Sequence, residues 1–182
     1  MTRKPIITNT ETIARTRLFH VEQIDLRFAN GREVSYERLR SSSRGAVLVV
    51  PLLDATTVLL IREYAAGVER YELALPKGRV EADESIETAA NRELMEEIGY
   101  GAGSMTHVKS MTLAPGYFSH TTHVMLARDL YPARLEGDEP EAIEVVPWPL
   151  DNLSELLSQE DCTEARSIAA LFMVREMLAR NP

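Results

Sequence analysis

From Leu18 onward, apolar and polar residues alternate through "LFHVEQIDLRFANGREVSYERLR", with Asn30 and Gly31 near the middle. A period of two marks strands with one covered face, and Asn-Gly supplies the positive φ values of a tight turn. The segment therefore predicts an antiparallel β-hairpin. "SSSRG" at Ser41–Gly45 punctuates the chain, and the apolar runs "AVLVVPLL" and "TVLLIREY" that follow predict buried strands. Between Ser85 and Ile98 the period becomes helical: Ile86, Ala90 and Leu94 recur every fourth residue, with Asp83 as the expected cap. Further strands are predicted at Thr106–Leu113, Thr121–Ala127 and Ile143–Trp148, the first two separated by the loop "APGYFSH". The carboxyl end reads as helix, with Asp151 and Thr163 as candidate caps and Ile168, Ala169, Phe172 and Glu176 at helical spacing. Leu171, Val174 and Leu178 widen that apolar surface. Strands mixed with helices predict an α/β fold, a mixed β-sheet sandwiched between α-helices, with the hairpin as an N-terminal addition. The expected division is an extension over residues 1–44 and a main domain over residues 45–182.

Composition narrows the function classes. A chain of 182 residues supports one sizeable core. A net charge of -8 and a pI near 5.1 disfavour nucleic acid as the main partner, because phosphate-backbone binders carry a basic footprint. Cys162 is the only cysteine, so no intrachain disulfide forms; it is expected to be a small buried hydrophobe in a reducing compartment. The first nineteen residues are rich in Thr and Arg but lack the apolar core of a secretory signal. Arg or Glu interrupts every apolar run before it reaches membrane-spanning length. The expectation is a cytoplasmic protein without a membrane partner.

"RELMEE" gathers Glu93, Glu96 and Glu97 on one helix. At 3.6 residues per turn they lie within an arc of roughly 100° that borders the apolar line through Ala90 and Leu94. An exposed like-charge pair at this spacing costs only about 0.2 to 0.5 kcal/mol, but burial raises the cost steeply. A cation is expected there. Oxygen ligands select hard ions, so Mg²⁺ is the natural occupant, with Mn²⁺ as the alternative. On the three glutamates alone, a solvated charged face is the commoner explanation.

The wider pattern changes that balance. Gly78, Glu84, Arg92, Glu93, Leu94, Glu96, Glu97 and Gly99 stand at spacings that resemble the Nudix box, departing only at Tyr100, where the family has an aliphatic residue. The resemblance implies a Nudix fold and metal-assisted hydrolysis of a nucleoside diphosphate linked to another moiety. It implies that Glu93, Glu96 and Glu97 are the metal carboxylates, with the backbone carbonyl of Lys77 as a further ligand. Arg92 and Glu84 would orient the glutamates, and Gly78 and Gly99 would permit backbone turns. Pro115, fifteen residues beyond Tyr100, is similar to a mark of the ADP-ribose pyrophosphatase branch, as are the N-terminal hairpin, "LIREY" and the final helix. That branch implies a homodimer formed through the N-terminal region. "LIREYAAGVERYEL", "AANRELMEEIGYGA" and "DLYPARLEGDEPE" resemble members acting on ADP compounds, which implies ADP-ribose, NADH and short diadenosine polyphosphates as substrates and AMP as a product.

The remaining site residues are expectations of different weight. Arg62 ends a buried strand, where its guanidinium could fork onto two phosphoryl oxygens or pair with Glu63 or Glu72. Many ADP-ribose hydrolases carry "ELPAG" before the box, with a glutamate that holds adenine or ribose; here the stretch is "YELALPKG", so Glu72 stands two residues farther from Gly78 and that role does not transfer directly. Tyr117 and Phe118 are candidates for stacking on adenine. Family members of this branch often use a glutamate on a late loop as general base; Glu139, at the centre of "EGDEPEAIEV", is the first choice, with Glu141 second and Glu136 also present. His120 and His123 are read as structural or substrate-contacting. Two other functions stand beside the leading one: hydrolysis of another nucleotide, such as a longer dinucleoside polyphosphate, and a non-catalytic ADP-ribose-binding module.

Overall fold

The computed structural model describes residues 3–41 and 44–180. The predicted punctuation at Ser41–Gly45 thus lies partly outside the described residues. The chain divides into two compact units, Met1–Gly45 with Thr112–Thr121, and Ala46–Met111 with Thr122–Pro182.

The first unit is an antiparallel sheet of β1 (Ile6–Arg15), β2 (His20–Arg27) and β3 (Glu33–Leu39) in that order. The expected hairpin is β2–β3, with Val21 opposite Leu39, Arg27 opposite Glu33, and Gly31 at φ +82° in the turn. Sequence patterning missed β1 because every one of its residues is exposed, so no burial period marks it. Glu22 is only 2% exposed and bridges Arg38 (2.9 Å) and Arg40 (2.8 Å). The Arg40 hydrogen bond holds its carboxyl below the ordinary range despite burial. The loop after Thr112 joins this unit through Leu39 N–H to the Tyr117 carbonyl (2.7 Å) and Ser119 N–H to the Leu39 carbonyl (3.1 Å).

In the second unit, β4 (Ala46–Pro51) is buried throughout, as its unbroken apolar run predicts. It pairs antiparallel with β7 (Lys77–Arg79) and parallel with β9 (Thr121–Pro132), and β8 (Tyr100–Thr112) lies beyond β9. A separate antiparallel sheet runs β10 (Glu144–Pro149), β5 (Thr57–Ala65), β6 (Arg70–Ala74). Alternate residues of β4, β5 and β9 feed two cores. Val47, Val49, Leu59, Ile61 and Met125 pack under α1 (Ile86–Glu97) with Ala90 and Leu94. Leu48, Val50, Leu60, Val124 and Leu126 pack under α2 (Leu153–Leu156) and α3 (Ala165–Arg180) with Leu171 and Val174. Helices on both sides of a mixed sheet were expected. Each fully buried Leu contributes roughly 1.5 to 3 kcal/mol, so these two clusters hold the site's frame.

Helix ends differ from expectation in instructive ways. Ser85, not Asp83, caps α1, because it directly precedes the first helical residue and accepts the Thr88 N–H at 3.1 Å. Thr163 does not cap α3; its hydroxyl goes to Glu72, and Glu164 accepts the Ser167 N–H at 2.8 Å instead. Asp151 falls inside a short 3-10 turn, Leu150–Asn152, and makes no capping bond. The buried line of α3 is Ser167, Ala170, Leu171 and Val174, so Ala169 and Glu176, placed in the apolar row by spacing, are exposed.

Candidate active site

The second half of α1 carries the glutamates, and β7 passes beneath it. Gly78 on β7 sits opposite Val47, and a methyl group built on it would overlap the Glu93 carboxylate. Only glycine lets that carboxylate lie against the strand. Gly99, at φ +75°, turns the chain out of the helix after Ile98 N–H closes on the Leu94 carbonyl (3.0 Å). Tyr100, the departure from the family pattern, packs against the core under α1, so an aromatic ring fills the aliphatic place.

Arg92 organises the charges. Its Nε and Nη2 donate to Glu84 (3.2 and 2.8 Å), its Nη1 to Glu93 (2.8 Å) and Glu96 (2.9 Å), and its Nη2 also to the Arg79 carbonyl (2.9 Å). The Arg92 hydrogen bond holds the Glu84 carboxyl below its usual range. Glu93 and Glu97 are 7% and 4% exposed, bordering the packed face as their spacing implied. Burial pushes the Glu97 carboxyl up to about 8, with Lys77 opposing and the charges of Glu93 and Glu63 adding to the rise. Its Oε2 accepts the Lys77 backbone N–H at 2.9 Å, while the Lys77 ammonium pairs with Glu63 at 2.8 Å. Burial also raises Glu93, and the charges of Glu96 and Glu139 raise it further.

Glu139 stands on the loop between β9 and β10, and its charge is felt at Glu93. Ala133 N–H donates to the Gly99 carbonyl and Leu135 N–H to the Met95 carbonyl, each at 3.1 Å, which lays the loop along the end of α1. Glu139 is half-buried, whereas Glu136 and Glu141 are exposed, and Glu141 accepts the Tyr71 hydroxyl at 2.6 Å.

Whether these residues suit a divalent ion is a question of donor chemistry. Every donor is a hard oxygen, and Glu63, Glu84, Glu93, Glu96 and Glu97 face only Arg92 and Lys77 as cations in the contacts above. Glu93 and Glu97 are both buried, and burial lifts the Glu97 carboxyl to about 8. Among the described residues, no group of three His, Cys, Asp or Glu side chains is arranged to hold a metal ion as it stands. The reason is visible: Arg92 draws Glu93 and Glu96 to itself, and Glu97 turns to the Lys77 N–H. The donor set fits a hard divalent cation that displaces those two Arg92 contacts.

The other expected residues make contacts of their own. Arg62 bonds Glu144 (2.8 Å) and Asp161 (3.0 Å), not the alternative partners Glu63 and Glu72. The pairing of β10 with β5 places Glu144 opposite Arg62, and no local sequence signal points to Asp161. Glu72 is buried between Arg70 (2.6 Å) and Thr163 (2.9 Å). Tyr117, 69% exposed, and Phe118 belong to the first unit, where they line a cavity of about 360 Å³ with Ile24, Leu26 and Tyr36. His123 shares the Ser110 hydroxyl (2.9 Å) with His107 (3.1 Å), a hydrogen-bonded group on β8 and β9.

Comparison with known proteins agrees with this arrangement. Residues 42–171 match the NUDIX domain, and the chain belongs to the Nudix family, with its fold and pyrophosphohydrolase class. Residues 5–38 match the NudE-type Nudix hydrolase N-terminal domain. The chain is 51% identical over 176 residues to the ADP compounds hydrolase NudE of Escherichia coli (strain K12), covering 97% of this chain and 94% of that protein. It is 29% identical over 168 residues to the ADP-ribose pyrophosphatase of Bacillus subtilis (strain 168), covering 88% and 90%. A crystal structure of an ADP compounds hydrolase matches with a TM-score of 0.92 and 50% identity over 99% of this chain and 97% of that one. The chain therefore falls in the ADP-ribose pyrophosphatase branch.

Proposed function

We propose that this protein hydrolyses the diphosphate linkage of ADP-ribose, NADH and short diadenosine polyphosphates, releasing AMP and a second phosphate product. The observation that carries the reading is the pair of buried carboxylates, Glu93 and Glu97, held beside Glu96 above Gly78 with too few cations to neutralise them. Identity to the ADP compounds hydrolase and to ADP-ribose pyrophosphatases supports the substrate class.

Glu93, Glu96, Glu97 and the Lys77 carbonyl would hold Mg²⁺, or Mn²⁺ in its place. When bound, the ion supplies charge neutralisation on phosphoryl oxygens and an acidified water. The chain does the rest. Arg92 fixes the rotamers of Glu93 and Glu96 through its grip on Glu84. Glu139 serves as general base, taking a proton from the attacking water as its oxygen bonds phosphorus and the bridging P–O bond breaks. Within the second unit, Arg62 and Glu72 are the proposed substrate contacts, Arg62 serving phosphate by releasing Glu144 or Asp161; Tyr117 and Phe118 are the stacking candidates of the first unit.

"LPKG" before the box is similar to diadenosine polyphosphate hydrolases, which keeps a second reading in view, hydrolysis of another nucleotide such as a longer dinucleoside polyphosphate. The intact glutamates weigh against a binding module. We assign a homodimer formed through the N-terminal sheet, because β1 exposes Ile6, Ile7 and Ile13. No helix among the described residues is long and apolar enough to cross a membrane. Cys162 is buried and its thiol is pushed up to about 11, an inert cysteine that suits a reducing cytoplasm. The deciding assay is AMP release from ADP-ribose, NADH and diadenosine triphosphate, with Mg²⁺ and with chelator, in wild type and Glu97→Gln. Metal-dependent turnover lost in the variant supports the reading; tight ADP-ribose binding without turnover in either protein overturns it.

A further inference from the structure

The loop that carries Glu139 has little to hold it. Its entry is fixed by the Ala133 and Leu135 backbone bonds to the end of α1. Its exit is β10, where Glu144 pairs with Arg62. Among the described residues, none from Glu136 to Ile143 makes a backbone–backbone hydrogen bond. Ordering a segment without backbone bonds of its own costs roughly 1 to 2 kcal/mol per residue.

Ile143 packs against the core under α1, and one side-chain hydrogen bond holds the stretch before it. The Tyr71 hydroxyl donates to Glu141 Oε1 at 2.6 Å, a charge-assisted bond that also raises the Tyr71 phenol above its ordinary range. Tyr71 is a firm post for it. The residue stands on β6 opposite Tyr64 on β5, and the two rings pack edge to face with centroids 5.4 Å apart. Glu139 lies two residues before Glu141, on the loop whose entry is bonded to the end of α1, the end that carries Glu93, Glu96 and Glu97. Gly137 completes the local geometry: a methyl there would overlap the Glu139 carboxylate, so glycine leaves it room to fold back.

We propose that Tyr71 is a positioning residue, clasping Glu141 so that the loop presents Glu139 to the helix glutamates. The proposal rests on the reading of Glu139 as general base. It assigns the late-loop acids different work: Glu139 faces the reaction and Glu141 holds the loop. Neither the box nor the late loop contains the clasp's phenol, which comes from a hairpin strand 70 residues earlier.

The test compares Tyr71→Phe, Glu141→Ala, Glu141→Gln, the double variant Tyr71→Phe/Glu141→Ala and Glu139→Gln, in steady-state AMP release from ADP-ribose with saturating Mg²⁺. A loosened base costs rate and not binding, so Tyr71→Phe and Glu141→Ala should each lower kcat by about tenfold, with KM within about twofold and the melting temperature unmoved. Glu141→Gln keeps an oxygen that accepts from Tyr71 and should keep near wild-type kcat. The double variant should be no slower than the slower single, since both remove one bond. Wild-type kcat in Tyr71→Phe alongside a loss of more than a hundredfold in Glu139→Gln overturns the clasp and leaves the base standing. Wild-type kcat in Glu139→Gln overturns the base assignment itself. Glu141→Gln as inactive as a lost base makes Glu141 the base and also sinks the clasp, as do multiplied losses in the double variant.

Discussion

Arg92→Ala tests the electrostatic account of the site most directly. The substitution removes the donors to Glu84, Glu93, Glu96 and the Arg79 carbonyl at once. Two of the stranded carboxylate side chains are nearly out of water, at 11% exposed for Glu84 and 9% for Glu93. Removing one partner of a buried ion pair costs about 3 to 5 kcal/mol. Arg92 is itself 24% exposed and Glu84 keeps the Glu81 N–H, which places the loss near the lower end, about 3 kcal/mol. For a chain of this size each kcal/mol moves the melting temperature by roughly 2 to 4 °C, so the metal-free variant should melt about 6 to 12 °C below wild type. Saturating Mg²⁺ should recover part of the gap, because the ion neutralises Glu93 and Glu96 but leaves Glu84 stranded. Calorimetric melts in chelator and in Mg²⁺ read both quantities. A metal-free melt within 2 °C of wild type would refute the claim that these carboxylates depend on Arg92.

Other consequences follow from single contacts. Glu97→Gln should lose activity by more than about a hundredfold while the metal-free protein melts close to wild type, since a carboxyl lifted to about 8 is already largely neutral at pH 7 and the amide oxygen can still accept the Lys77 N–H; a much lower melt would show that Glu97 is structurally favourable as an anion. Gly78→Ala should cut kcat by roughly a hundredfold by displacing the Glu93 carboxylate, and wild-type kinetics would show that the carboxylate position is unimportant. Burial pushes the Glu164 carboxyl up, but the Arg166 and Ser167 hydrogen bonds outweigh it and hold it below its ordinary value of 4.5. Its stabilisation is complete above that value and disappears as pH falls through the lower folded one, so Glu164→Gln should flatten the acid limb of denaturant stability between neutrality and acid; an unchanged acid limb in the variant would contradict this. Ser85→Ala should cost about 1 kcal/mol by removing the cap of α1, measured by urea unfolding.

The sequence made the helix glutamates legible because three constraints converge on few residues. The apolar line through Ala90 and Leu94 sets the buried side, and the spacing of Glu93 and Glu97 then borders it. The buried strands β4 and β5 were legible for the same reason, since both their faces meet apolar neighbours. Strand β1 was not, because a fully exposed strand has no period to read. Long-range polar contacts were equally silent. Glu72 with Thr163, Arg62 with Asp161 and Tyr71 with Glu141 each join residues far apart in the chain, and chemistry alone offers many equivalent partners. Cap residues failed by one or two positions because Asp, Ser, Thr and Glu compete within a few residues, and the helix start decides among them.

The arrangement of Arg92 would also let the proposed site tolerate both the absence and the presence of a divalent ion. Without the ion, Arg92 spans Glu93 and Glu96 and limits repulsion between them. Two anchors are independent of those glutamates: the paired bonds to Glu84 and the bond to the Arg79 carbonyl. An ion can therefore take both carboxylates while the guanidinium stays in place, still close enough to orient them. Lysine could not do this, since a single ammonium lacks the planar fork that reaches Glu84 and the helix glutamates together. Arg92→Lys should accordingly separate the roles, retaining part of the metal-free stability but weakening control over Glu93 and Glu96. In the ADP-compound assay this predicts a fall in kcat larger than the change in KM, together with a melt between those of wild type and Arg92→Ala. A melt of the Lys variant as low as that of the Ala variant would contradict the retained stability, whereas full rescue of both stability and rate by Lys would show that charge alone suffices and that the fork has no part.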